Sequence, residues 1–91
     1  MRASYVKKPV VIEAFQYDGD FMNRDGIYYV PEWAQTALKQ GVLYFDGPEL
    51  QIRTLEGPLR VSVGDYIIKG VQNELYPCTP DIFRQTYSLL E

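Results

Sequence analysis

The stretch from Gly64 to Tyr87 constrains this chain more than any other, because its turn and helix signals leave little freedom for what lies between them. Gly64-Asp65 reads as a turn, Tyr66-Ile67-Ile68-Lys69 as a strand, and Gly70 to Asn73 as a hairpin link into Glu74-Leu75-Tyr76. Pro77 lacks a backbone donor and is expected to stop the sheet. Thr79-Pro80-Asp81 then starts a helix, with Thr79 at the N-cap, Pro80 at N1 and Asp81 facing the positive end of the dipole. On that count Cys78 and Phe83 occupy the two positions that touch in a hydrophobic staple. Ile82, Phe83, Thr86, Tyr87 and Leu90 continue as one stripe laid on a sheet.

Upstream, Val6 to Tyr17 reads as the first strand, with Val10, Ile12, Ala14 and Gln16 alternating against Val11, Glu13, Phe15 and Tyr17. Both faces are largely apolar, which predicts a central strand covered on both sides. Gln16, a polar exception, is expected to hydrogen-bond a neighbouring loop. Asp18 to Tyr29 is a loop rich in turn formers; a calcium-loop reading fails because Tyr29 stands where the twelfth-position glutamate belongs. A short helix follows, opened near Pro31 and ended by Gly41, with Trp33, Ala34, Ala37 and Leu38 as its apolar stripe. Gly41 to Phe45 is a short strand. Leu50 to Leu55 and Leu59 to Val63 form a hairpin around Glu56-Gly57-Pro58, with Leu59, Val61 and Val63 inward and Arg53 and Arg60 neighbours on the solvent face.

These elements predict one α+β domain over residues 1–91: a small, curved, mainly antiparallel sheet of about five or six strands, one helix in the first half and one at the C-terminus. Gly57, Gly64 and Gly70 at strand junctions suit an SH3-like or open-barrel curvature. With 46% hydrophobic residues, including eight Tyr, four Phe and one Trp, the chain can fill one core and keep apolar surface for an oligomer contact. A homo-oligomer is expected. The chain has no apolar run of ~20 residues and no signal-type apolar segment at its start, so the expectation is a cytoplasmic protein with no membrane partner.

The chemistry is narrow. Histidine is absent and Cys78 is the single cysteine, which removes Ser-His and Cys-His catalysis, histidine zinc sites and intramolecular disulfides. A net charge of −3 argues against duplex nucleic acid as a partner. Lys7, Lys8, Arg53, Arg60 and Lys69 would form a basic patch only if the fold gathers them. Cys78 before a helix start is a candidate nucleophile, and Asp65 with Glu13 a candidate acid-base pair, but staple packing and turn formation explain the same residues. The stronger candidates are for binding. Trp33, Tyr44, Tyr66 and Tyr76 offer flat rings, and Arg53, Arg60 and Lys69 cationic heads, a mixture suited to a small anionic, nucleotide-like ligand. Core packing is the alternative for each ring. No cofactor is implied.

Lys8-Pro9-Val10-Val11-Ile12-Glu13-Ala14-Phe15-Gln16, Pro31-Glu32-Trp33 and Thr54-Leu55-Glu56-Gly57 set the context for two longer matches. With Gly64-Asp65-Tyr66-Ile67-Ile68-Lys69-Gly70, and Tyr76-Pro77-Cys78-Thr79-Pro80-Asp81-Ile82-Phe83 through Tyr87, the chain resembles a family of small tailed-bacteriophage and prophage proteins. That family carries a Pro-Gly-Asp-Tyr-Gly-type motif; here Val63 stands at its first proline and Ile67 at its second glycine. The resemblance implies a phage accessory protein in a bacterial cytoplasm and transfers no catalytic or binding residue. The expected function is therefore non-enzymatic: binding a host or phage protein, or sequestering a small anionic molecule such as a nucleotide signal of host defence. A self-assembling interaction module is one alternative; an enzyme using Cys78 or a carboxylate pair is another.

Overall fold

The computed structural model describes residues 3–6 and 8–90. Its elements, in chain order, are β1 (Glu13–Gln16), α1 (Glu32–Lys39), β2 (Leu43–Asp46), β3 (Glu49–Thr54), β4 (Gly57–Val61), β5 (Tyr66–Lys69), β6 (Leu75–Cys78) and α2 (Pro80–Thr86). The strands make two antiparallel three-stranded sheets, ordered β1-β5-β6 and β2-β3-β4. The α+β class and the two helices stand as expected. The single curved sheet or barrel does not, because the chain leaves β4 through a turn and β5 pairs with β1 and β6 instead of continuing the second sheet. At that turn Asp65 Oδ2 accepts the Ser62 N–H at 2.9 Å, and Gly64 sits at φ 98°, a region that favours glycine.

The two sheets share a core of Tyr17, Phe21, Val30, Ala34, Ala37, Leu43, Leu50, Ile52, Val61 and Ile67. Alternation along β5 explains the layering. Ile67 belongs to this core, so Tyr66 and Ile68 face the other side of the sheet. There Phe83 of α2 stacks on Tyr66, with ring centroids 3.8 Å apart and planes 4° apart. Ile67 and Ile68 are both fully buried, which makes β5, and not β1, the strand covered on both faces.

Helix α1 meets its expectations. Ala34 and Ala37 are buried, while Trp33 and Leu38 pack half-buried against the core. Past its end, Gly41 at φ 76° donates to Leu38 C=O and Val42 donates to Ala37 C=O, the paired bonds of a Schellman terminator. The loop before it is held as turn chemistry predicts: Asn23 Oδ1 accepts the N–H groups of Asp25 and Ile27, and Asp18 Oδ1 that of Asp20.

Several expectations are corrected. The first strand is Glu13–Gln16 alone, at a sheet edge, and Val10 and Val11 upstream of it are exposed; Lys7 lies outside the described residues. Tyr66–Lys69 is too short to pair with more of it. Pro77 does not stop the sheet, since β6 runs to Cys78. In β5 and β6 the pair Gly70 N–H to Glu74 C=O marks even-numbered residues as those bonding across, so the missing Pro77 donor faces the open edge, where it breaks nothing. Val61 is buried, but Leu59 is half-exposed and Val63, beyond the end of β4, is exposed. Thr79 holds the N-cap position with Pro80 at N1, yet its hydroxyl makes no capping bond; its carbonyl accepts the Phe83 N–H. Asp81 pairs with Arg84 at 2.8 Å. In α2 only Phe83 and Tyr87 of the expected stripe are half-buried; Ile82, Thr86 and Leu90 are exposed.

Truncating Ile67 to Ala is expected to lower unfolding free energy by about 2–5 kcal/mol, because the cavity opens in close-packed core. Val63→Ala should change it by about 0.5 kcal/mol or less. Urea denaturation of the two variants measures the difference.

Candidate functional site

The seven side chains that sequence reasoning put forward for binding are carried by different elements, and the fold distributes them over three places, two of which Trp33 lines. Arg53 and Arg60 lie on one face of the β3–β4 hairpin, since the register sets Gln51 opposite Arg60 and Arg53 opposite Pro58. They are near neighbours, as expected. Each is already engaged: the Arg60 Nε lies 3.7 Å from the Glu49 carboxylate, and the Arg53 Nε donates to Gly41 C=O at 3.1 Å. The Arg53 guanidinium also lies over Tyr44, 5.2 Å from the ring centroid.

Trp33 and Lys69 come together in a cleft of about 660 Å³ between α1 and the end of β5. Trp33 is fixed there by edge-to-face packing on Phe15, centroids 5.5 Å apart. The cross-strand pair Glu13–Lys69 puts the ammonium 3.3 Å from the Glu13 carboxylate. Lys69 is the lone Lys or Arg lining this cleft among the described residues, and Glu13 and Glu32 line it too. The cleft therefore carries a net negative balance and is a poor receptor for an anion.

Tyr66 and Tyr76 lie on the opposite face of sheet β1-β5-β6, beneath α2. Phe83 covers Tyr66, Tyr87 tilts against Phe83 with centroids 5.1 Å apart, and the Tyr76 and Tyr87 hydroxyls approach to 3.4 Å. These rings line a groove of about 1320 Å³ whose walls are the segment 8–14 on one side and residues 86–90 on the other. Val11 is 72% exposed, Leu89 87% and Leu90 76%, so the groove is rimmed by apolar side chains in water. Sequence reasoning missed this groove. Its signal was present as apolar pairs at the two chain ends, Val10-Val11 and Leu89-Leu90, but nothing in the pattern showed that the ends would lie side by side.

The other candidates resolve into structural roles. Gln16 Nε2 donates to Gly64 C=O at 3.0 Å, the loop bond expected of it. Asp65 is engaged by its turn and Glu13 by Lys69. Burial, together with the nearby Asp65 charge, pushes the Cys78 thiol up from its ordinary value, the opposite of what a helix-start nucleophile needs. Among the described residues no group of three or more His, Cys, Asp or Glu is placed to hold a metal ion, and no helix is long and apolar enough to cross a membrane.

Comparison with protein-family models, curated proteins and solved structures finds no match for this chain.

The fold opposes ionisation of three phenols, that of Tyr17 chiefly through burial. The hydrogen bond with Tyr87 pushes Tyr76 up to about 12, and the 2.7 Å bond to Asp18 pushes Tyr29 up to about 12. A raised phenol pKa adds stability that is complete below pH 10 and is lost as pH climbs from 10 toward 12. The melting temperature is expected to fall across that window, and the fall to flatten in Tyr76→Phe with Tyr29→Phe; melting curves at stepped alkaline pH test it.

Proposed function

We propose that this protein is a non-enzymatic, phage-encoded accessory factor that acts by binding a partner protein. The observation that carries the reading is the engagement of the candidate cations: Arg53 and Arg60 are neighbours on the β3–β4 hairpin, Lys69 lies in a different cleft, and each of the three already has a partner. An anion-sequestering site needs unengaged donors converging on one point. The groove beside α2 supports the protein-binding alternative. At about 1320 Å³ it exceeds the roughly 300–1,000 Å³ of small-molecule pockets, and it offers aromatic floor and aliphatic rim of the kind buried at protein contacts. The phage setting rests on the motif resemblance described above.

In affinity capture from phage-infected bacteria, the wild-type chain is expected to retain one protein in stoichiometric amount. Leu89→Glu with Leu90→Glu, which alters exposed positions alone, should weaken that capture about tenfold or more. A panel of cyclic and linear nucleotides at saturating concentration should leave the melting temperature unchanged. A reproducible rise with any one nucleotide would overturn the reading in favour of ligand sequestration.

A further inference from the structure

The two edges of sheet β1-β5-β6 are unequal. The β6 edge carries Pro77, whose missing donor faces outward, and β6 runs beside β3 and β4. Among the described residues the β1 edge has no such protection. Tyr17 N–H donates to Asp65 C=O at 2.8 Å, so odd-numbered residues of this strand turn their backbone groups toward β5. The even-numbered ones, Ala14 and Gln16, turn theirs to the open side, and continuing the alternation upstream adds Ile12, Val10 and Lys8. None of these is proline; Pro9 falls at an odd position, where its missing donor does not matter to that side. The upstream segment is also apolar and uncovered, with Val10 47% and Val11 72% exposed. A radius of gyration of 15.1 Å, against about 12 Å for a compact chain of this length, agrees with chain left outside the core.

We infer that the β1 edge, with the segment leading into it, is a self-association surface whose occupant is the same segment of a second copy, running antiparallel about a two-fold axis at Ile12. Residues of equal parity must face each other across such an axis, because side chains on opposed residues share one face. An axis at Glu13 sets two carboxylates against one another. An axis at Ala14 shortens the overlap, since the chain turns away at Asp18. The axis at Ile12 aligns residues 8–16 of both copies, sets Glu13 opposite Val11 of the second copy and lays Val10 against Ala14. The result is one continuous six-stranded sheet across the dimer. This inference rests on edge geometry and stands apart from the partner-protein reading.

Sedimentation equilibrium of the purified chain is expected to show a species of twice the 10.5 kDa chain mass. Val10→Pro, which removes an edge-facing donor from each copy, should weaken association about tenfold or more, whereas Val11→Pro should leave it near wild type. In a Cys78→Ser background, Ile12→Cys should cross-link to a dimer on mild oxidation, because directly opposed residues stand about 5.5 Å apart at Cα, within disulfide reach. Val11→Cys should not. Circular dichroism and melting curves confirm that each variant folds, all five changes lying at positions outside the core cluster. A chain that stays monomeric at high micromolar concentration, a dimer equally sensitive or insensitive to both prolines, or cross-linking through Val11 in preference to Ile12 overturns the assignment.

Discussion

The double burial of β5 is the constraint on which the rest of the structure depends. Ile67 and Ile68 are adjacent and point to opposite faces, and both are fully excluded from water. A four-residue strand can satisfy that only with a layer on each side. One layer is the second sheet with α1; the other is α2, held by Phe83 on Tyr66. Burying two isoleucines contributes on the order of 3–6 kcal/mol, a large share of what a domain of this size retains as net stability. The turn at Gly64 and the Pro77 placement serve the same end. Each lets the chain enter or leave β5 pairing without stranding a backbone donor inside the protein.

The charged side chains are held largely by local pairs. Most of the visible ion pairs are exposed, where each adds little to stability, and they engage Arg60, Lys69 and Arg84. Part of the apolar surface left in water, Val10, Val11, Val71, Leu89 and Leu90, lines the groove that the segments 8–14 and 86–90 flank.

Local signals were legible with good accuracy. The Gly41 helix stop, the Asn23 and Asp18 turn bonds, the Pro80 helix start and the Gln16 loop bond all arise from a few consecutive residues whose chemistry decides the outcome. The candidate site was legible in parts only. Each ring and cation could be named, and Arg53 could be placed beside Arg60, because a hairpin carries its register in its own turn. That Lys69 would meet Glu13, or that Trp33 would share a cleft with Lys69 and not with Arg53, follows from contacts between residues far apart in the chain. The staple expectation falls between these cases. Phe83 is at the predicted helix position, but the ring it stacks on belongs to Tyr66, opposite Cys78 in the register.

By itself the sequence determined the number of strands and helices to within small error, where the chain turns, and the absence of histidine chemistry, since these depend on backbone preferences and side-chain types that act over a few residues. Only the tertiary structure decided that the strands divide into two sheets, that β5 and not β1 takes the centre, and that Lys69 lies apart from Arg53 and Arg60 while the segments 8–14 and 86–90 flank one groove. Strand pairing has nearly the same local energy for many partners. The choice is made by which arrangement buries the most apolar surface at once, and that quantity belongs to the whole chain.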